Sequence, residues 1–133
     1  RGTIIIKINS PGGSTYEALA IAGRIKASKR QIITEGYGHM MSAATLLLAS
    51  GDKRRMCAYA WFMHHKTSYG VEGDHDTIVE EVKHMEREER EWAKIMGDLT
   101  VRSSRFWLDT AHKRNVYMNA DECKRNGVVD EIF

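Results

Sequence analysis

The chain has few of the residues that mark several classes of protein. Its 133 residues include one proline and two cysteines, and its net charge is only +2 at pH 7. A small, mixed charge does not favour nucleic-acid binding. Cys57 and Cys123 lack the spacing of metal ligands, so we interpret both as reduced packing residues of an intracellular protein. No apolar stretch is long enough to cross a bilayer, and the first residues do not resemble a signal peptide.

These absences predict a cytoplasmic protein that binds no metal, no nucleic acid and no membrane. Residues 1–133 are few enough to form one domain around one core. The chain has no initiator methionine, and Arg1 leads almost directly into a strand-like run. We therefore expect a piece of a longer protein.

The apolar pattern alternates between the periods of strands and helices. The isoleucine-rich run at 3–9 predicts a buried strand, which Pro11 ends. Glycines at 36 and 38 predict a turn after the second strand, and residues 52–55 predict a polar turn. This order of elements predicts an α/β layer fold with parallel strands. Strands are predicted at 3–9, 31–34, 56–63 and 128–130, and helices at 14–28, 42–49, 76–97, 104–112 and 119–127.

The predicted helix over residues 76–97 is long and highly charged. Apolar residues recur near the helical period along one face, and the remaining faces carry mostly charged side chains. Glu89 interrupts the apolar face. Because a helix of this kind often projects from its domain, we expect it to contact a partner subunit.

Three candidate functional segments each follow a predicted strand. Gly12 and Gly13 follow the first strand, Ser42 follows the second and His65 follows the third. In α/β folds, ligands and catalytic groups gather at the carboxyl ends of the strands. These segments are therefore expected to lie close together.

Ser42 opens a predicted apolar helix, where backbone N–H groups are free. It could be a nucleophile, with the N–H groups of Gly13 and Ala43 stabilising an oxyanion. The same residues also have ordinary interpretations. Serine is a favoured N-cap residue, and a glycine pair is common in a turn between a strand and a helix.

His65 could be the base, because a neutral imidazole can accept the proton of a serine hydroxyl. His64 competes for that role, and His39 lies close to Ser42 in the sequence. A histidine at a strand end is also often a polar surface residue. Because successive side chains of a strand face opposite sides, His64 and His65 are not expected to share a metal ion.

Four segments resemble the proteolytic subunit of the Clp protease family, in the same order and with similar spacing. Residues 8–13 resemble its INSPGG turn, and residues 38–44 are similar to its nucleophile segment, G-x-A-x-S-M-G. Residues 63–65 resemble its M-I-H segment, which favours His65 as the base. Residues 119–130 are similar to its closing segment. Ala43 stands where the family usually has methionine, a difference that leaves the backbone N–H in place.

The resemblance implies a ClpP- and crotonase-like fold of repeated β-α layers, with a parallel sheet and a protruding helical handle at about residues 67–99. It implies a serine endopeptidase that cleaves unfolded proteins or peptides inside a homo-oligomeric ring, a heptamer or stacked heptamers. An AAA+ unfoldase would be its partner and would consume ATP, while this chain itself would need no cofactor.

The resemblance also implies a third member of a catalytic triad. Counting back from Ala120 places Asn115 where the family usually has aspartate, and Asp109 is the alternative if the register shifts. Asparagine can orient an imidazole, but it cannot supply the negative charge that stabilises an imidazolium. In this respect the chain is similar to divergent members such as phage-encoded Clp-like proteases.

Two other functions remain open at this point. Asn115 also fits a catalytically weak or inactive ring subunit, which a fluorophosphonate probe would distinguish because it labels an activated Ser42. A crotonase-type acyl-CoA enzyme shares the layered fold and the paired N–H groups of an oxyanion hole. Binding of CoA thioesters would indicate that enzyme.

Overall fold

The computed structural model describes residues 2–133 and contains six strands and five helices over that range. In chain order the elements are β1 (Ile4–Ser10), α1 (Thr15–Lys26), β2 (Ile32–Met41), α2 (Ala44–Ala49), β3 (Lys53–Met56), β4 (Trp61–His64), α3 (His75–Leu99), α4 (Ser104–Ala111), β5 (Val116–Asn119), α5 (Ala120–Arg125) and β6 (Glu131–Ile132).

One mixed sheet contains all six strands, with β2 at its centre. Strands β1, β3 and β4 each pair with β2 in parallel, and β6 pairs with β3 in parallel. Only β5 runs antiparallel, beside β4, among the strands of residues 2–133. The prediction of an α/β layer fold with a mainly parallel sheet is therefore confirmed, although β5 was not predicted.

Strand β2 is longer than predicted. The expected turn at residues 36–38 is wrong, because the strand continues through these glycines to Met41. Gly38 adopts a φ of 57°, and a side chain there would meet the Asn9 side chain at 2.7 Å. The Asn9 Oδ1 accepts a hydrogen bond of 3.2 Å from the His39 N–H. The glycine therefore allows an irregularity in the pairing of β1 and β2, and not a reversal of the chain.

The predicted third strand divides into two. Residues 53–56 form β3 and residues 61–64 form β4, so the polar turn predicted at 52–55 is wrong. Charged side chains suggested a turn, but here they pair with acidic residues at the start of β6 and directly before it. Lys53 lies 2.7 Å from Glu131, and Arg54 lies 2.6 Å from Asp130. The last strand also begins later than predicted, at Glu131.

Strand β1 is not the buried strand that its isoleucines suggest. Ile4 and Ile5 are exposed, and Ile8 is its only buried residue. Within residues 2–133, β1 pairs with β2 alone. The apolar run therefore reflects a sheet edge that the rest of this chain does not cover.

Helix α3 has two different halves. Asp74 caps its start by accepting a 2.9 Å hydrogen bond from the Thr77 N–H. Residues 75–84 are all exposed, whereas Ala93 and Met96 are buried against the core. The first half therefore projects and the second half packs on the domain. The core around the sheet is built from large side chains that are almost fully buried, among them Met40, Leu46, Leu48, Met56, Phe62, Met96 and Trp107.

Candidate active site

The pairing of β2 with β4 brings the ends of these strands together. Met41 is in register with Met63, and the Ser42 N–H donates a 2.9 Å hydrogen bond to the Met63 carbonyl. Ser42 directly follows β2, and His65 directly follows β4. The backbone of the sheet therefore determines the relative position of the two side chains.

Ser42 and His65 are in direct contact. The Ser42 Oγ lies 2.7 Å from the His65 Nε2, within the range of a good hydrogen bond. In the tautomer with its proton on Nδ1, His65 accepts this bond from the Ser42 hydroxyl. That is the geometry in which an imidazole can take the serine proton as the oxygen attacks.

Ser42 has a strained backbone and is not a helix cap. Its φ is 55°, one of two positive φ values among non-glycine residues 2–133. Helix α2 begins at Ala44 with Ala43 at its N-cap, so the helix predicted to start at Ser42 begins two residues later. A left-handed serine costs about 1–3 kcal/mol, and such strain clusters at functional sites. The hydroxyl is presented on a tight turn between β2 and α2.

His64 faces the opposite side of β4. Its Nε2–H donates a 3.1 Å hydrogen bond to the Trp107 carbonyl, and its ring packs edge-on against the Trp107 ring. Burial lowers the pKa of His64 and favours the neutral imidazole. His64 is therefore a core residue. His39 is half-buried, and its backbone N–H bonds to Asn9 on β1.

The glycine pair lies against the nucleophile turn. A side chain on Gly12, whose φ is 101°, would meet the Met41 carbonyl oxygen at 2.7 Å and the Ser42 Cβ at 2.8 Å. Gly13 has open space where a side chain would stand. Among the hydrogen bonds of residues 2–133, neither the Gly13 N–H nor the Ala43 N–H has an acceptor. Both backbone donors are therefore without a partner among the described residues.

The expected third member is not joined to this pair. Asn115 lies exposed in the loop between α4 and β5, and no hydrogen bond within residues 2–133 links it to His65. Asp109 is on α4, where both its carboxylate oxygens accept hydrogen bonds of 3.0 Å from Arg105. The structure therefore brings together Ser42, His65 and the glycine turn, and it leaves Asn115 and Asp109 outside their hydrogen bonds.

Sequence reasoning missed one acidic residue at the site. Glu89 on α3 lines the same small cavity as Ser42 and His65, and its side chain is only 10% exposed. The signal was present as the break in the apolar face of the helix. No group of three or more histidine, cysteine or acidic residues in the described part of the chain is arranged to hold a metal ion.

A larger groove adjoins this site on the side of Gly13. It has a volume of about 400 Å³ and lies between the start of α1, the loop after β4 and α3. Its walls are largely apolar and aromatic, with charged groups along α3. The apolar and aromatic residues include Tyr16, Leu19, Tyr69, Met85, Trp92 and Ile95.

Fold and site together define an α/β layer protein that carries a serine–histidine pair at the carboxyl ends of parallel strands. Comparison with known proteins then identifies the family. A family model described as Clp protease matches residues 1–133. The chain belongs to the Clp protease family, and this membership supports a peptidase activity.

Curated relatives match almost the whole chain. ATP-dependent Clp protease proteolytic subunit 3 of Rhodococcus jostii is 30% identical over 131 residues, covering 97% of this chain and 64% of the relative. The ATP-dependent Clp protease proteolytic subunit of Pleurastrum terricola is 34% identical over 132 residues, covering 96% and 65%. That of Bacteroides fragilis is 30% identical over 133 residues, covering 98% and 63%. The chain therefore spans less than two thirds of the length of these relatives.

Proposed function

We propose that the chain is the proteolytic part of a Clp-type serine endopeptidase, with Ser42 as nucleophile and His65 as base. The observation that carries the proposal is the 2.7 Å contact between the Ser42 Oγ and the His65 Nε2. Family membership independently favours peptide hydrolysis over the chemistry of CoA thioesters.

The chemistry follows from the arrangement of these groups. The Ser42 oxygen attacks the carbonyl carbon of the peptide bond as its proton moves to the His65 Nε2. The N–H groups of Gly13 and Ala43 stabilise the negative charge that forms on the carbonyl oxygen. His65 then gives its proton to the leaving amine, and an acyl-enzyme on Ser42 remains. Water, activated by His65, releases the second product.

The groove beside Gly13 supports a peptide substrate. Its volume of about 400 Å³ can hold two or three side chains of a peptide. Its largely apolar walls favour the hydrophobic residues that an unfolded protein exposes. We therefore infer that extended segments of unfolded proteins or peptides are the substrates.

The proposal includes assembly. The relatives' names describe a proteolytic subunit of an ATP-dependent protease. By analogy, this chain would form a homo-oligomeric ring, a heptamer or stacked heptamers, in the cytoplasm and receive substrates from an AAA+ unfoldase that consumes ATP. The exposed first half of α3 and the exposed edge strand β1 are the surfaces that support such contacts. The handle at residues 67–99 would join one ring to the next.

Substitution of Ser42 tests the proposal. We expect Ser42→Ala to lower the kcat/KM for an unstructured peptide by about 10⁴-fold or more, because no other hydroxyl contacts His65 in residues 2–133. The fold should be retained, as measured by circular dichroism and thermal unfolding. Ser104→Ala, the same substitution at an exposed serine on α4, is the matched control and should keep wild-type activity. Full activity of Ser42→Ala would refute the assignment.

A catalytically weak ring subunit is the second candidate, and the position of Asn115 favours it. Asn115 is exposed and has no hydrogen bond to His65, so no triad is complete through this residue. A chain of this kind would assemble normally but hydrolyse peptides no faster than its Ser42→Ala variant. Measurement of both proteins side by side distinguishes the two functions.

A further inference from the structure

Glu89 is a buried acid without a full set of partners. It lies on α3 with its side chain only 10% exposed, and its Oε1 atom is fully buried without a hydrogen bond to any of residues 2–133. Its Oε2 atom lies 3.9 Å from the Lys66 Nζ, too far for a hydrogen bond, and Lys66 is about half exposed. Burial of a carboxylate under these conditions destabilises a fold, so a function is the expected reason for it.

Glu89 lies beside the proposed catalytic pair of Ser42 and His65. A cavity of about 30 Å³ is lined by Ser42, His65 and Glu89, together with apolar groups that include Trp92 and Leu108. Glu89 is the only acidic residue of the described chain that lines this cavity. The cavity can hold about one or two water molecules, and it is too small for a substrate side chain. Glu89 is therefore placed to act on the residues of the site, not on the substrate.

The reaction forms a positive charge on His65, which a negative charge nearby would stabilise. When the Ser42 proton moves to the His65 Nε2, the ring becomes a cation in a largely apolar pocket. Asn115 carries no charge, and Asp109 is paired with Arg105 on the surface of α4. No other acidic side chain of the described residues lines the cavity beside His65.

We propose that Glu89 is the positioning residue that takes the place of the missing triad acid. Its carboxylate acts across the cavity, with a water in the cavity as the hydrogen-bonded link to the His65 Nδ1–H. It stabilises the imidazolium and holds the ring with Nε2 towards Ser42. The Lys66 Nζ lies 3.9 Å from the outer oxygen of Glu89, Oε2. The proposal rests on the proposed function, because it concerns the base of that reaction.

Charge-removing and charge-retaining variants test the role of Glu89. Glu89→Gln keeps the shape and removes the charge, Glu89→Asp keeps the charge, and Glu86→Gln makes the same change at an exposed position one turn away on α3. For each variant we would measure the labelling rate of Ser42 by a fluorophosphonate, kcat and KM for peptides with leucine or lysine before the cleaved bond, and the melting temperature.

The expected effect is on the chemical step alone. Glu89→Gln should lower kcat and the labelling rate by about tenfold or more, with KM within about twofold of wild type and an unchanged or higher melting temperature. Glu89→Asp should retain more of the labelling rate than Glu89→Gln. Glu86→Gln should behave as wild type. A purely structural residue would not produce a lower kcat together with an undiminished melting temperature.

Three results would overturn the proposal. They are a wild-type labelling rate in Glu89→Gln, a loss confined to the lysine peptide, and a loss of activity that accompanies a lower melting temperature in both Glu89 variants. The loss confined to the lysine peptide would mean that Glu89 binds the substrate. Failure of the proposed function looks different, because the fluorophosphonate would then not label Ser42 in the wild-type protein. That result would remove the basis of the inference as well.

Discussion

Two regions that were expected to build one triad differ in how the fold positions them. Ser42 and His65 continue from the ends of β2 and β4, which are hydrogen-bonded neighbours in the sheet. Asn115 follows a short surface turn after α4 that contains Arg114 in a left-handed conformation, with a φ of 62°. The sheet therefore fixes the serine and the histidine relative to each other. It also brings the backbone of Asn115 beside His65, because β5 pairs with β4 and Val116 lies opposite His64, yet no hydrogen bond joins the two side chains. This difference teaches that strand pairing can bring backbones together without joining the side chains that follow the strands.

The adjacent histidines offer the sharpest way to test this comparison. His65→Ala should lower kcat/KM by about 10³-fold or more and leave the stability nearly unchanged, because it removes the base from a half-buried surface site. His64→Ala should instead reduce the free energy of unfolding by about 2–4 kcal/mol, because it deletes a buried ring and its hydrogen bond to Trp107. Activity assays and urea denaturation of both variants would check this.

The opposite pattern would contradict the roles given to the two histidines. If His64→Ala folded as stably as wild type but lost its activity, His64 would be the base. The role given to His65 would also be wrong if His65→Ala unfolded the domain, because His65 would then belong to the core.

Backbone strain at Ser42 gives a smaller, separate effect. Ser42→Gly should be more stable than Ser42→Ala by about 0.5–1 kcal/mol, because glycine adopts a φ of 55° without the clash that a Cβ causes. Glycine also raises the conformational entropy of the unfolded chain, which offsets only part of this gain. Both variants lack the hydroxyl, so their difference in free energy of unfolding isolates the backbone. An alanine variant as stable as the glycine variant would show that the turn relaxes and carries no strain.

The loop residue should have the smallest effect. Asn115→Ala should change kcat/KM by less than about twofold, because Asn115 is exposed and makes no hydrogen bond to His65. Steady-state kinetics on the same peptide would measure this. A loss of a hundredfold would mean that Asn115 orients His65 in the working assembly, as the family resemblance implies. Its side chain would then have to turn towards the imidazole, which its backbone already adjoins through the pairing of β5 with β4.

The sequence was sufficient for the fold class and for the residues at the strand ends. The isoleucine-rich run, the glycine turn and the helix periods predicted an α/β layer fold, and the resemblance to Clp proteases agrees with the family match. The helix predicted at 119–127 is present as α5, and a capping box of Asn119 and Glu122 stands at its start.

The errors have physical causes. Lys53, Arg54 and Arg55 suggested a turn because local polarity does not reveal that their charges pair with Asp130 and Glu131, which follow much later in the chain. Strand β1 looked buried because its isoleucines cannot show whether a partner subunit or the same chain covers them. Neither question has a local answer, since both depend on contacts between distant segments or separate chains.

The site was only partly predictable for the same reason. Ser42 and His65 follow strands, so the topology predicted their meeting. The left-handed backbone of Ser42 had no local signal, because serine rarely adopts a positive φ. Glu89 lies 24 residues after His65 in the sequence, on a helix whose docking no local pattern defines. The sequence showed that Glu89 interrupts the apolar face of the helix. It did not show that Glu89 lines the cavity of Ser42 and His65.

The most direct test is to identify the residue that a fluorophosphonate modifies. Mass spectrometry of the labelled wild-type protein should find one phosphonylated residue, Ser42. The adduct should be almost completely absent from the His65→Ala variant. It should still form in the fraction of the His64→Ala variant that remains folded. A folded wild-type assembly that acquires no adduct, or that carries it on another residue, would contradict the assignment of Ser42 as a nucleophile activated by His65.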